Sequence, residues 1–123
     1  MLEIGIGSGL NLPFYSRNVK DLIGLEPSPK LLSMVRRNLG SDTPWPELIE
    51  GSAEAIPLET HSIDSVVTTW TLCSIPDAAL AVREMRRVLR STGRLLFIGA
   101  RACRRSTASG GVPAMLDRAP PAI

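Results

Sequence analysis

The sequence predicts an α/β fold, a doubly wound, mostly parallel sheet of five strands with helices on its faces. Three observations predict it. Short apolar runs typical of buried strands alternate with runs whose apolar residues recur every three or four positions, a glycine-rich turn follows the first run, and 123 residues with 44% hydrophobic content suffice for one core. The crossovers between parallel strands are expected to be right-handed, and the expected strand order is 3-2-1-4-5.

The five predicted strands are short apolar segments bounded by glycine, proline or polar residues. The fourth is rich in β-branched residues, which fit a pleated sheet, and a turn at Thr92 and Gly93 precedes the fifth. The strands are predicted at residues 1–4, 22–25, 47–50, 63–70 and 95–98.

Three helices are predicted between these strands. The first covers residues 10–18, where a proline is tolerable only in the first turn. The second follows Ser28 as N-cap and stops at Gly40, and the third follows Asp77 as N-cap and continues through Arg90. The arginines of the third helix lie mostly off its apolar stripe, so we expect them to form a solvated face.

One domain, residues 1–99, is predicted to be followed by an irregular basic tail, residues 100–123. Residues 1–99 carry 10 Lys and Arg against 11 Asp and Glu, a net charge of −1, whereas residues 100–123 carry 4 against 1, a net charge of +3. The positive charge belongs to the tail, so we expect no nucleic-acid partner. The two cysteines do not form a plausible zinc site, and the single histidine lies in a polar loop. We therefore expect no metal site.

The hydropathy pattern is typical of a protein outside the membrane. No apolar run approaches the roughly 20 residues that span a bilayer, so no stable membrane insertion is expected. The first three residues, Met, Leu and Glu, lead directly into the glycine turn and do not form the basic and then apolar segments of a secretory leader. We therefore predict a cytoplasmic protein.

The turn after the first predicted strand is the most informative part of the sequence. Gly5, Gly7 and Gly9 alternate there, so the backbone can approach a ligand where a Cβ would collide, and the following helix start offers free N–H groups. The second strand ends in Glu26, 21 residues beyond Gly5, where a carboxylate can bind both hydroxyls of a ribose. The expected ligand is an adenosine-bearing cofactor at the carboxyl edge of the sheet.

The spacing of the glycines argues against a dinucleotide. In the pattern Gly-x-Gly-x-x-Gly, the third glycine falls at Leu10 when counted from Gly5 and at Leu12 when counted from Gly7. An acid such as Glu3 at the end of the first strand would sit poorly beside a pyrophosphate. It suits a ligand with an ammonium group and no phosphates, or alternatively it only caps the amides of the turn.

Five segments, in order along residues 1–99, resemble the class I S-adenosylmethionine-dependent methyltransferases. The group they resemble is the type 11 group, which is similar to the methyltransferases of ubiquinone and menaquinone biosynthesis. One glycine motif alone would be a weak signal, but five segments in register are a strong one. They are residues 2–9, 25–28, 50–57, 63–75 and 86–96.

The resemblance implies a Rossmann-like fold that binds S-adenosyl-L-methionine. Glu26 would hold the ribose, Pro27 would lie beside the adenine, and Ser52 stands where the family usually has an Asp that contacts the adenine amino group. The cofactor-binding residues that the resemblance implies are Glu3, Gly5, Ile6, Gly7, Gly9, Glu26, Pro27, Ser52, Ala53, Glu54, Thr69 and Trp70.

The activity that the resemblance implies is methyl transfer to a small-molecule acceptor. The apolar loop of residues 70–73 would border the acceptor and favours a lipophilic one. No residue is identified as catalytic. Two alternatives stay open: a non-catalytic remnant that binds the cofactor weakly or not at all, and an NAD-dependent oxidoreductase, which the glycine spacing disfavours.

Compared with the family, the chain is expected to be incomplete at both ends. The helices that usually precede the first strand and the elements that usually follow the fifth have no counterpart, which suggests a truncated or frame-shifted gene product. The fifth strand would then be an exposed apolar edge through which copies of the chain self-associate. The small core also predicts low stability or dependence on a partner.

Overall fold

Five parallel strands form a single sheet in the computed structural model, which describes residues 1–39 and 45–99. The strands are β1 (Leu2–Ile4), β2 (Ile23–Glu26), β3 (Glu47–Glu50), β4 (Ile63–Thr69) and β5 (Leu89–Ile98). Their order is β3-β2-β1-β4-β5, and each neighbouring pair is parallel. The predicted fold class and strand order are confirmed.

The helices begin at the predicted caps. In the part of the chain that the structure describes, the α-helices are α1 (Pro29–Leu39) and α2 (Ala78–Val88). Ser28 Oγ accepts the N–H of Leu31 at 3.3 Å, and Asp77 Oδ1 accepts the N–H of Leu80 at 2.9 Å. Both side chains therefore satisfy a backbone donor that the first helical turn leaves free. The predicted stop at Gly40 lies outside the described residues.

The prediction of a helix at residues 10–18 is wrong. The structure has only a short 3-10 turn there, Leu12–Phe14. A proline within the segment lacks a backbone N–H, and the side chains of Asn11 and Tyr15 donate hydrogen bonds to Glu3 on β1. The segment is therefore held to the sheet by side chains rather than by a helical ladder.

The junction between α2 and β5 also differs from the prediction. The helix ends at Val88 rather than Arg90, and β5 begins at Leu89, earlier than predicted. Leu89 already has an extended backbone and pairs with Ile63 of β4. The turn predicted at residues 92–93 is an irregularity in the pairing of β4 with β5, because sheet pairing extends to both sides of it.

Each face of the sheet carries one cluster of buried side chains. The α2 face buries Leu2 and Ile4 of β1, together with Leu25, Ala53, Ile56, Ile63, Val66, Ala81, Met85 and Val88. The α1 face buries Ile6, Leu12, Leu22, Leu32 and Val35. Because side chains alternate along a strand, Glu3 points to the α1 face while its neighbours on β1 point to the α2 face.

The end of β5 is the least covered part of the sheet. Its last four side chains are between 40% and 60% exposed, and they are Leu95, Leu96, Phe97 and Ile98. Within the described ranges, β5 has β4 on one side and no strand on the other. Among the described residues, the end of β5 is therefore an exposed apolar strand.

Two further predictions concern residues 100–123 and insertion into a membrane. The predicted tail at residues 100–123 lies outside the described residues. Among the residues that the structure describes, no helix combines the length and the apolar character that crossing a bilayer requires.

Candidate functional site at the carboxyl edge of the sheet

The turn after β1 has backbone angles that glycine adopts easily. The φ angle is +68° at Gly5, +58° at Gly7 and +85° at Gly9, all in the left-handed region. A Cβ at Gly5 would collide with the side chain of Thr71, whereas a Cβ at Gly7 would have nothing closer than 4.0 Å. The N–H of Gly5 donates to the carbonyl of Leu25 at 2.8 Å, which joins the turn to β2.

Glu26, the last residue of β2, holds the turn in place. Its carboxylate Oε2 accepts the N–H of Gly7 at 3.0 Å, and Oε1 accepts the N–H of Ser28 at 3.1 Å. The residue is only 7% exposed. Each carboxylate oxygen can accept more than one hydrogen bond, so lone pairs remain for the hydroxyl groups of a ligand.

A cavity of about 300 Å³ lies beside this turn. Its lining comes from the ends of β1 and β2, from α1, from residues 51–53 after β3, and from the loop of residues 70–76 after β4. Parallel strands end at the same edge of a sheet, and that edge is where doubly wound folds bind ligands. The cavity therefore lies where the sequence predicts a cofactor.

The loop of residues 51–58 is held by α2. Arg87 donates to the carbonyls of Ile56 and Leu58, at 2.8 Å each, and to both carboxylate oxygens of Glu84. Glu84 in turn accepts the N–H of Ile56 at 3.0 Å, and its hydrogen bond from Arg87 lowers its pKa. The prediction of a merely solvated arginine face is therefore wrong for Arg87, which positions a loop of the cavity.

Ser52 and Glu54 form a second connection between this loop and α2. Ser52 Oγ donates to Glu54 Oε2 and accepts the N–H of Glu54, both at 3.1 Å. The other oxygen of Glu54 accepts the N–H of Asp77 at 2.7 Å, at the start of α2. Ser52 lines the cavity, and Glu54, which does not, fixes the position of Ser52 through these hydrogen bonds.

The loop after β4 begins with a strained residue. Trp70, predicted as the last residue of the strand, follows its end and has a φ of +56°. A left-handed backbone costs a residue with a side chain about 1–2 kcal/mol. The N–H of Trp70 donates to the carbonyl of Ile98 at 2.7 Å, and its indole, 63% exposed, lies at the wall of the cavity.

Glu3 is buried on the α1 face and does not line the cavity. Its Oε1 accepts from Asn11 Nδ2 at 2.8 Å, and its Oε2 accepts from the hydroxyl of Tyr15 at 2.9 Å. Asn11 Nδ2 also donates to Thr69 Oγ1 at 2.8 Å. Burial raises the pKa of Glu3, although both hydrogen bonds oppose the shift, and burial together with the charge of Glu3 raises the pKa of Tyr15.

The predicted cofactor-binding residues divide into two groups of six. Those that line the cavity are Gly5, Glu26, Pro27, Ser52, Ala53 and Trp70. Those that lie behind or beside the lining are Glu3, Ile6, Gly7, Gly9, Glu54 and Thr69. Ile6, for example, is 4% exposed within the cluster of the α1 face.

Three supporting residues, Asn11, Tyr15 and Arg87, were not predicted from the sequence. Asn11 and Tyr15 could have been found as two polar side chains four positions apart directly after the glycines. Arg87 had no local signal, because the carbonyls that it binds lie 29 and 31 positions away. Thr71 belongs to the loop predicted to border the acceptor, but its packing against Gly5 had no local signal, because it depends on the end of β4.

Comparison with known proteins agrees with this geometry. The family described as "Methyltransferase domain" matches residues 2–97. The chain belongs to this family. It is 31% identical over 101 residues to the phosphatidylethanolamine N-methyltransferase of Cereibacter sphaeroides, an alignment that covers 80% of this chain and 49% of that relative. It is 30% identical over 100 residues to a thiol S-methyltransferase of Mus musculus, covering 79% of this chain and 41% of the relative.

Solved structures agree with the family match. A crystal structure of an S-adenosylmethionine-dependent methyltransferase of Thermotoga maritima superimposes with a TM-score of 0.64 at 29% identity, covering 78% of this methyltransferase chain and 42% of the other. The resemblance and the Rossmann-like fold are therefore confirmed. The chain spans about half or less of the length of the curated relatives that it matches, at 49%, 28% and 37% for three of them.

Proposed function

We propose that this methyltransferase domain transfers a methyl group from S-adenosylmethionine to a small, lipophilic acceptor. The observation that carries the proposal is the cavity at the carboxyl edge of the sheet, whose lining includes both Gly5 and Glu26. The family match over residues 2–97 supports the same activity.

The residues of the cavity fit this cofactor. Gly5 leaves the wall of the turn free of a side chain, and Glu26 keeps lone pairs for the two ribose hydroxyls. Pro27 and Ala53 offer apolar surface to an adenine. Ser52 Oγ is already bonded to Glu54, but its second lone pair can accept from an adenine amino group.

The chain's own residues have to align the acceptor and exclude water. When bound, the cofactor supplies a methyl group on a cationic sulfur, which is already a good leaving group. Alignment and removal of water from the nucleophile are then the main requirements. The apolar wall formed by Trp70 and Ile75 suits both. Methylation of a thiol or an amine releases one proton, which can pass to water as the thiolate or the neutral amine forms, and we assign no general base among the described residues.

Two observations support a lipophilic acceptor. The loop of residues 70–76 presents the exposed indole of Trp70 beside the cavity. Two relatives are named for phosphatidylethanolamine and thiol methylation, and their alignments cover 80% and 79% of this chain. An amine or a thiol carried on an apolar molecule is the class of acceptor that both observations favour.

Calorimetric titration with S-adenosylhomocysteine, the reaction product, tests the cofactor. We expect the chain to bind it and not to bind NAD. Glu26→Gln keeps the shape of the side chain but leaves the N–H of Gly7 or of Ser28 without an acceptor, so we expect binding about tenfold weaker or worse. Glu50→Gln is the matched control, because Glu50 is exposed on β3 directly opposite Glu26.

The outcomes separate the candidate functions. Binding of NAD alone would contradict the proposal. Unchanged affinity in Glu26→Gln would show that the cofactor binds at another site. Transfer of a labelled methyl group to an apolar thiol or amine would support the acceptor class. Binding without transfer to any acceptor would favour the non-catalytic alternative.

A further inference from the structure

The side chain of Asn11 joins three elements at the carboxyl edge of the sheet. It belongs to the segment that follows the glycine turn, and its Nδ2 donates to Glu3 Oε1 on β1 and to Thr69 Oγ1 on β4, both at 2.8 Å. Both protons of the carboxamide are thereby used. Asn11 is therefore a direct bridge between the two central strands, independent of their backbone pairing.

The strand end that Asn11 holds leads into the loop at the cavity. Thr69 directly precedes Trp70, whose backbone is left-handed. The carbonyl of Thr69 accepts from Thr71 Oγ1 at 2.9 Å, and Thr71 is the side chain that a Cβ at Gly5 would strike. A shift of Thr69 would therefore move the residue that packs against the glycine turn.

Glu3 is arranged to hold Asn11 rather than a ligand. It is 1% exposed, and each carboxylate oxygen already accepts a hydrogen bond, one from Asn11 and one from Tyr15. The ion pairs among the described residues involve other acids. A buried carboxylate is costly unless its oxygens are hydrogen-bonded, so Glu3 is stabilised by these two donors.

We propose that Asn11 is a positioning residue that couples the glycine turn to the loop of residues 70–76. In this arrangement, cofactor affinity depends on the hydrogen bonds from Asn11 to Glu3 and to Thr69, and Glu3 acts through Asn11 instead of touching the cofactor. The inference rests on the proposed function and adds to it the residues that set the shape of the cofactor site.

A reciprocal exchange of the amide and the acid tests the coupling. Asn11→Asp places two carboxylates at hydrogen-bond distance, so we expect affinity for S-adenosylhomocysteine to fall about tenfold or more at neutral pH. In the double variant with Glu3→Gln, the amide at position 3 donates to the acid at position 11. The hydroxyls of Tyr15 and Thr69 can rotate to suit. We expect this variant to recover most of the affinity.

Three further variants make the test specific. Glu3→Gln alone can still accept from Asn11 and donate to the hydroxyl of Tyr15, so we expect it to keep its affinity. Thr69→Val removes only the acceptor on β4 and keeps the shape, so we expect a smaller loss of affinity in a folded protein. Asn18→Asp is the matched control, since Asn18 is exposed in the same segment.

Calorimetry and thermal unfolding are measured for every variant. Unchanged affinity in Asn11→Asp overturns the inference, and if that variant does not fold, unchanged affinity in Thr69→Val overturns it. Recovery of the unfolding temperature without recovery of affinity in the double variant, or loss of affinity in Glu3→Gln, would mean that Glu3 acts directly on the cofactor. Failure of the unmodified chain to bind would instead contradict the proposed function itself.

Discussion

The two halves of the sheet on either side of β1 differ in how fully they are covered. On the side of β2 and β3, Leu22 and Leu25 are 2% and 1% exposed, and the glycine turn and Glu26 hold each other through backbone N–H groups. On the side of β4 and β5, Phe97 and Ile98 are 58% and 60% exposed. Cover is thus nearly complete over Leu22 and Leu25 and incomplete at the end of β5.

The half of the sheet with β2 depends more on short segments of sequence than the half with β4. The turn after β1 and the end of β2 are adjacent in the sheet, so two brief motifs suffice to form them. The loop after β4 takes its position from contacts with distant residues, among them Asn11 and Ile98. We therefore expect substitutions in the glycine turn to affect the half with β2 and β3. Substitutions in the side chains that cover β4 and β5 should affect the other half.

The largest effect is expected from substitutions in the turn. Gly5→Ala combines a left-handed backbone with a collision against Thr71, whereas Gly7→Ala has the backbone strain alone. A strain of about 1–2 kcal/mol lowers the free energy of unfolding of Gly7→Ala by about that amount, and the collision with Thr71 should make the loss larger in Gly5→Ala. Equal losses in both variants, measured by urea denaturation, would show that Thr71 moves aside without cost.

A smaller effect is expected where α2 joins the two halves. Arg87→Lys keeps the charge beside Glu84 but cannot reach both loop carbonyls at once, so the free energy of unfolding should fall by about 1–2 kcal/mol. Arg83→Lys, exposed on the same helix, is the control and should change little. Urea denaturation measures both. A fall of the same size in the control would mean that helix propensity, not the loop contacts, is responsible.

We propose that the uncovered half self-associates through β5, with a second copy of this chain as the partner. Phe97→Lys places a charge on the exposed end of the strand, so it should lower the apparent mass in sedimentation velocity while leaving cofactor affinity within about twofold. Ser91→Lys is the control at the start of the same strand, where the side chain is already exposed and polar. A monomeric unmodified chain at high concentration would contradict the proposal.

The smallest effect concerns pH. Burial raises the pKa of Glu3 above its ordinary value of 4.5, so the folded state holds more protons than the unfolded state between that value and the raised one. Stability should therefore fall as pH rises through this window, by at most about 1.4 kcal/mol per pH unit for one group. Glu3→Gln should remove this slope from a series of urea denaturations.

Glu84 should show the opposite slope. Its hydrogen bond from Arg87 lowers its pKa below 4.5, so its contribution is present above the ordinary value and is lost as pH falls through the lowered one. Glu84→Gln should reduce the fall in the free energy of unfolding below pH 4.5. It should leave the pH dependence above 4.5, which belongs to Glu3, unchanged. If both residues change the free energy of unfolding with the same sign as pH rises, the raised pKa of Glu3 or the lowered pKa of Glu84 is contradicted.

Much of the fold could be predicted because its signals are local. A cap such as Ser28 or Asp77 serves a backbone N–H three residues on, and an apolar run of four residues already suggests a buried strand. The helix predicted at residues 10–18 failed for a non-local reason, since Asn11 and Tyr15 use their polar groups on β1. The early start of β5 at Leu89 likewise depends on its pairing with Ile63.

Local signals in the sequence were sufficient for the glycine turn, for the acid that ends β2, and for the alternation of strands with helices. Each of these follows from backbone preference, side-chain chemistry or the period of the apolar residues, which act over a few residues. The directions of Glu3, Asn11 and Arg87 required the folded sheet. Asn11 meets Thr69 across 58 positions and Arg87 meets Ile56 across 31, so only the folded sheet brings their hydrogen-bonding groups within reach.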